Sequence, residues 1–333
     1  MQKNGIAKID PKSGIALLIA AFAAIYILWG STYLAIKYAI ETLPSFIMTG
    51  ARFLVAGATL FMVGRFSKDY EKPTFSEWRA SFVVGTLLFL GGTGGVVLAE
   101  HYIPSSLAAL LVATEPSWIV LLSWLWLKGA RPNWKVALGL LIGFAGVYLL
   151  IGGASFGHAG NGTNQLFGTV LVLASALAWA TGSIYGVRAL APKSPILASG
   201  MQMLAGGSVL LFVGTLMGEW ANFKISDVSL NSWLGLAYLL VFGSLIAFTA
   251  YSWLLKNAPP AMVATYAYVN PVIAVILGWA IAGESLTAQM LIGAGVIVGS
   301  VALITSQKSG KIVEEKIDRI ESPTGNCPTY STS

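Results

Sequence analysis

The chain of 333 residues is 56% hydrophobic and only 10% charged, with a mean hydropathy of +0.74. Soluble domains carry about 25% charged residues, so the composition excludes a soluble globular fold and points to an all-α integral membrane protein. The net charge of +6 implies no nucleic-acid partner, because the basic residues sit in short connections between apolar runs.

A polar N-terminal stretch with Lys3, Lys8 and Lys12 precedes an apolar run from Gly14 to Leu34. Ala21-Phe22-Ala23 resembles a signal-peptide cleavage site, but the run continues past it for more than ten residues, which favours a retained span. Further spans are expected at Ser45–Phe66, Trp78–Ala99, Ser105–Leu127 and Trp134–Gly152. A Gly/Asn-rich linker, 153–165, separates these from five more: Phe167–Leu190, Pro195–Met217, Trp233–Leu255, Ala261–Ile281 and Thr287–Ser306. The tail at 307–333 is charged and then rich in Ser, Thr and Pro, a composition expected to be disordered. Ten helices of ~20 residues each match a ~30 Å hydrocarbon core. With a cytoplasmic N-terminus, seventeen of the twenty basic residues fall on the cytoplasmic side. Both termini are therefore expected to be cytoplasmic.

The two halves are related in sequence. A shift of 150 brings Trp29 onto Trp179, Gly50 onto Gly200, Gly57 onto Gly207 and Gly64 onto Gly214. A shift of 155 brings Trp78 onto Trp233, Pro104 onto Pro259, Glu115 onto Asn270 and Pro116 onto Pro271. Five spans per half is an odd number, so the second repeat (167–306) is expected to enter the membrane inverted relative to the first (14–152). Inverted repeats are a secondary-transporter architecture, with the substrate site near the midplane between them.

Several segments carry a family resemblance: WGSTY at Trp29–Tyr33, ARF at Ala51–Phe53, and AEHYIPSSLAALLVATEP from Ala99 to Pro116. The second half adds AWATGSIYG at Ala178–Gly186 and YAYVNPVIAVILG from Tyr266 to Gly278. On these, the sequence resembles the drug/metabolite transporter superfamily in its EamA-type ten-helix branch, over nearly all of 14–306. The resemblance implies a bacterial inner-membrane protein with a central cavity between its halves. It also implies an exporter of amino acids, other metabolites or drugs, without choosing among them.

Among individual residues, Glu115 stands first. A mid-bilayer carboxylate is costly unless paired or facing water, so such groups usually point inward and are functional. It suits proton coupling or amine binding, with Trp118 one turn on as an apolar or cation–π wall. A glutamic acid bonded to a neighbouring helix is the structural alternative. Pro116 and Pro271 each remove a helical hydrogen bond and are expected to kink the spans as hinges or as static packing. Asn270, with Tyr266 on the same helical face, serves either substrate or interhelical adhesion. Arg52 lies ~10 Å deep at 1.5 Å per residue and is expected to pair with Glu100 as an outer structural or gating pair, with direct binding of an anionic substrate or snorkelling outward as the alternatives. His101 beside Glu100 is an interfacial group able to titrate near neutrality.

Trp29, Tyr33, Trp179, Tyr185, Tyr251 and Tyr268 lie within spans, and with Ser31, Thr32 and Ser183 they suit an amphipathic substrate cavity. Gly139/Gly143, Gly182/Gly186 and Gly295/Gly299 suit close helix packing, within one chain or across a homodimer. Two histidines and one cysteine, Cys327, offer no His/Cys metal site and no disulfide. No cofactor is called for. There is no GxxxxGK[ST] segment for ATP, and one mid-depth carboxylate without a histidine pair makes a poor intramembrane enzyme. A phosphorylated-metabolite or nucleotide-sugar antiporter would need several cations in the cavity, whereas Arg52 is the only one inside a span.

Overall fold

The computed structural model describes residues 11–67, 70–127, 134–157, 162–221, 223–258, 263, 265–300 and 302–303. Every regular element among them is helical. Seven helices are long and apolar enough to cross a membrane, and three shorter apolar stretches accompany them at Trp134–Leu149, Val269–Ala280 and Ala288–Ser300. Lys3, Lys8, Pro259 and the 307–333 tail lie outside the described residues, as does the side chain of Tyr268.

Helix α1 covers Pro11–Ala39 and α2 Ser45–Arg65. α3 runs as Phe75–Gly85, a π-helical stretch Thr86–Gly94, and Gly95–Ala99. α4 comes in two pieces, Ser105–Val112 and Glu115–Leu127. α5 is Trp134–Gly157 and α6 Gly162–Arg188, so helix extends into both ends of the expected 153–165 linker. α7 is Pro195–Leu216. α8 repeats the plan of α3, with Leu230–Tyr238, a π stretch Leu239–Ile246, and Ala247–Asn257. α9 is Tyr266–Ala280 and α10 is Ala288–Ser300.

The likeness of α3 and α8 follows from sequence. Thr74 accepts from the Glu77 backbone to start α3, and Ser229, 155 positions on, accepts from Ser232 to start α8. A short hydroxyl side chain satisfies one of the four orphan N–H groups of a helix start. α2 and α4 lack such a residue, because Pro44 and Pro104 hold their N-cap positions without a side-chain bond. Both are capped instead from the other half of the chain. Glu219 accepts from the Phe46 and Ile47 amides at 2.9–3.1 Å, and Glu284 accepts from the Ser105 and Ser106 amides at 3.0 and 3.1 Å. Each glutamate follows a glycine with positive φ, Gly218 at 75° and Gly283 at 64°. That left-handed turn just beyond a helix end is open to glycine at little cost.

The most extensive packing between two helices joins α2 and α7. A Cβ at Gly50 would lie 2.9 Å from the Gly207 carbonyl oxygen, and one at Gly200 3.0 Å from that of Gly57. One at Gly64 would meet the Leu197 Cβ at 2.8 Å, and one at Gly214 the Ile47 Cγ1 at 3.0 Å. The seam is antiparallel, and exchanging residues 150 apart converts Gly50–Gly207 into Gly200–Gly57 and Gly64–Leu197 into Gly214–Ile47. Such self-exchange is the mark of an isologous, two-fold contact. Gly295 and Gly299 form no seam within the chain among the described residues. Among the described residues neither glycine has another part of the chain within 4 Å of its Cβ position, whereas Gly143 lies against Ser300 and Gly182 against Leu87 and Leu88. α10 turns those two small residues away from the bundle.

Candidate functional site

A cavity of about 130 Å³ opens where α1, α2, α3, α4, α6, α8 and α9 meet. At 10–15 Å³ per water centre this holds on the order of ten waters, the scale of a small metabolite. Its wall is mostly aromatic and small. Trp29, Thr32, Tyr33 and Ile36 come from α1, Arg52 and Phe53 from α2, and Gly92, Thr93 and Val96 from α3. Val112 and Glu115 come from α4, Ser175, Ala176 and Trp179 from α6, Phe248 from α8, and Tyr266 and Asn270 from α9.

The π stretches place several of these groups. An i→i+5 turn disturbs the regular carbonyl ladder and is frequent at functional sites. In α8 the Gly243 carbonyl accepts from the Trp29 indole at 3.1 Å, and Ser244 accepts from the Arg52 Nε at 2.8 Å. The π stretch of α3 supplies Gly92, whose missing side chain leaves room for Trp179; a Cβ there would lie 2.7 Å from that ring. Ring contacts run across the site from Trp29 to Phe248 (5.2 Å), from Phe248 to Phe89 (6.1 Å) and from Phe89 to Trp179 (6.4 Å). The two tryptophans that stand 150 apart in sequence thus hold opposite ends of one aromatic row.

Arg52 is buried, its guanidinium 4.5 Å from the Phe53 ring centre, and its Nη1 has no hydrogen-bond partner among the described residues. The expected Arg52–Glu100 pair is absent from them, because Ser244 holds Arg52 toward the cavity. Glu100 instead sits just past the end of α3, 9% exposed, with both carboxyl oxygens unpartnered among the described residues. Glu115 reaches the cavity as the first residue of the second piece of α4. The helix breaks at Ala113–Thr114, so Pro116 lies in the first turn of a new helix and kinks no continuous span. Pro271 does lie inside its helix, α9.

Oriented so that its nitrogen donates, the Asn270 amide reaches the carbonyls of Tyr26 and Tyr266 at 3.1 Å. It therefore both lines the cavity and ties α9 to α1. Tyr251 stands behind the wall, 5.2 Å from Trp29 and 6.1 Å from Tyr266. Trp118 is not beside Glu115 in the cavity. It packs edge-on against Phe144 of α5 at 5.5 Å, since the second piece of α4 turns that face toward α5. Ser183 and Tyr185 are also outside, because α6 lines the cavity from Trp179 back to Ser175, toward its N-terminus. Ser31 turns away to the Tyr238 hydroxyl at 2.6 Å, while Thr32 lines the wall. Phe53, Thr93, Ser175 and Phe248 were not singled out from sequence. Phe53 closes the ARF segment, and only the packing distinguishes the others from ordinary core residues.

An all-helical apolar bundle enclosing a small cavity with isolated polar groups is the construction of a membrane transporter. The chain belongs to the EamA-like transporter family, whose profile matches residues 13–152 and 166–306. Over 294 residues it is 38% identical to the uncharacterized inner membrane transporter YedA of Escherichia coli K12, covering 87% of this chain and 91% of that one. It is 28% identical over 304 residues to the uncharacterized transporter YvbV of Bacillus subtilis, covering 90% and 94%. A crystal structure at 21% identity superposes with a TM-score of 0.58 over 89% of this chain and 98% of that one, which is a likeness of fold. The protein is thus a membrane transporter and not an enzyme.

Proposed function

We propose that this transporter exports amino acids or related small amphipathic metabolites across the inner membrane by alternating access between two inverted five-helix halves. The single observation carrying this reading is the presence in the wall of one small cavity of a buried guanidinium, on Arg52, whose Nη1 has no partner among the described residues, and of a carboxyl group, on Glu115. Aromatic walls from both halves surround them. Arginine is suited to carboxylates by its planar fork. A carboxylate with tryptophan and tyrosine faces suits an ammonium group. The α2–α7 exchange contacts and the matching π stretches support two halves related by a two-fold axis, and the three shorter apolar helices would bring the spans to ten. Both termini are then cytoplasmic, and the α1–α2, α3–α4, α5–α6, α7–α8 and α9–α10 connections face outward.

The test is reconstitution into liposomes with labelled amino acids and cationic drugs, with and without a pH gradient. Arg52→Gln should abolish transport of carboxylate-bearing solutes and spare simple cations, whereas Glu115→Gln should do the reverse. Equal loss of both solute classes in each variant would refute the two-ended site.

A further inference from the structure

On the end of the bundle that carries Lys37, one carboxylate of the second half, Glu284, is bonded to both α1 and the start of α4. Glu284 accepts from the Lys37 ammonium at 3.0 Å, from the Ser105 and Ser106 amides, from the Ser105 hydroxyl at 2.8 Å and from the Ser106 hydroxyl. Its side chain is 5% exposed. Burial by itself would push this carboxyl up, but the bonds from Ser106, Ser105 and Lys37 prevail and hold it below the usual carboxylate range. Glu284 thus stays ionised, and every one of these donors lies in the first half of the chain.

Glu100 is the complement. It too is buried, yet neither oxygen has a partner among the described residues. Burial first, and then the Glu284 charge, push its carboxyl well above the usual range, against the pull of Lys37. The charged or titratable groups acting on it are Lys37 and Tyr33 from α1 and Glu284 from the α9–α10 connection. Its neighbour His101 turns instead to the Ser45 hydroxyl at 2.7 Å, and Arg52 is held by Ser244. Glu100 stands five residues before the start of α4 that Glu284 caps, and a carboxylate already ionised nearby disfavours charge on a second one. Glu284 takes the ammonium, and Glu100 is left the neutral role.

We propose that Glu100 is a reversible proton-binding site, and that its charge operates a latch formed by Lys37, Glu284 and the first turn of α4. With the proton on Glu100, Lys37 and the α4 amides belong to Glu284 and this end stays closed. When Glu100 releases its proton to water, the new carboxylate competes for Lys37 and repels Glu284. Glu284 leaves the helix start, and the tie it makes between the halves opens. No covalent bond other than the O–H bond of Glu100 is made or broken. The proposal rests on the alternating-access reading above, with the proton as its regulating ion.

The test needs no transported solute. In a Cys327→Ser background, Leu43→Cys places a thiol in the buried cluster beneath this end, with Met48 and Val97. Its maleimide labelling in nanodiscs is followed against pH and normalised to the unfolded protein at the same pH. Labelling should rise with pH by roughly ten- to a hundredfold, the equilibrium worth of a charged hydrogen bond. Glu100→Gln should stay slow at every pH, and Glu284→Gln fast at every pH. A Glu100→Gln variant that keeps the full pH response, or a Glu284→Gln variant that stays closed, would overturn the latch. Infrared difference spectra give a second readout: a protonated-carboxyl band should disappear in Glu100→Gln and survive in Glu115→Gln. Retention of every such band in Glu100→Gln would overturn the proton site. A protein that moves no solute in liposomes, yet labels as described, would refute the transport reading and leave the latch standing.

Discussion

Gly200→Ala offers the sharpest test of the α2–α7 seam. A methyl group at Gly200 would lie 2.6 Å from the Phe61 amide nitrogen, 2.9 Å from the Phe61 Cα and 3.0 Å from the Gly57 carbonyl oxygen. All three are main-chain atoms, so no side chain can rotate aside, and the shortest distance falls about 0.8 Å inside ordinary contact at 3.4 Å. The helices must separate. Overpacking of this kind costs ~1–3 kcal/mol, and contact with backbone argues for the upper end. Alanine's better helix propensity returns ~1 kcal/mol, leaving a net loss of about 2 kcal/mol. Gly295→Ala meets nothing within 4 Å and should gain up to ~1 kcal/mol from the same propensity. The two variants should therefore differ by about 3 kcal/mol when unfolding is followed in detergent by denaturant titration. Equal stabilities would refute the seam. Gly50→Ala, the exchange partner, should also lose stability but by less, since its shortest approach is 2.9 Å and one neighbour is the Leu211 side chain.

The caps and the buried polar groups lead to other measurable outcomes. Glu219→Ala removes the side-chain cap on α2 and should cost ~1–2 kcal/mol in the same titration, while Glu219→Gln keeps an acceptor and should lose less. Burial lowers the His101 pKa from its ordinary value, against a smaller upward pull from Glu219. The unfolded chain therefore binds the proton first, so stability should fall as pH drops below about 6.5, and His101→Gln should flatten that limb. Glu284 is held low by its hydrogen bonds, so its contribution is present above about pH 4.3 and lost as pH falls toward its depressed folded value. Glu284→Gln should remove that acid limb from a plot of unfolding midpoint against pH. Ser244→Ala frees the Arg52 Nε, and carboxylate-solute transport should weaken severalfold with the KM raised.

Much of the architecture was legible because the bilayer imposes long apolar runs and the two halves repeat. Gly50, Gly57 and Gly64 against Gly200, Gly207 and Gly214 could be aligned by eye. That they would pack on one another was not contained in the alignment, which is silent about which face meets which. The cavity was partly legible. Trp29, Tyr33, Arg52, Glu115, Trp179, Tyr266 and Asn270 line it, but a helical wheel carried through a continuous α4 misplaced Trp118, since the break at Ala113–Thr114 re-aims the second piece of that helix. The π stretches left only a weak trace: Gly91, Gly92 and Gly94 in one and Gly243-Ser244 in the other interrupt the apolar runs, but glycines serve equally for close helix packing. The capping glutamates were local signals, each a Gly-Glu pair after an apolar run. Their partners lie more than 170 residues away in the chain, beyond the reach of any local pattern.

The paired π stretches give the bundle a property that straight helices lack. Each winds extra residues into its turns. A return to α geometry by one residue would advance the remainder of the helix by 1.5 Å and rotate it by about 100°. In α8 that rotation would swing Gly243 and Ser244 together, releasing the Trp29 indole and the Arg52 guanidinium in one motion. In α3 it would carry Gly92 off the face of Trp179. A single residue of slip in either helix would redraw the site without breaking a helix.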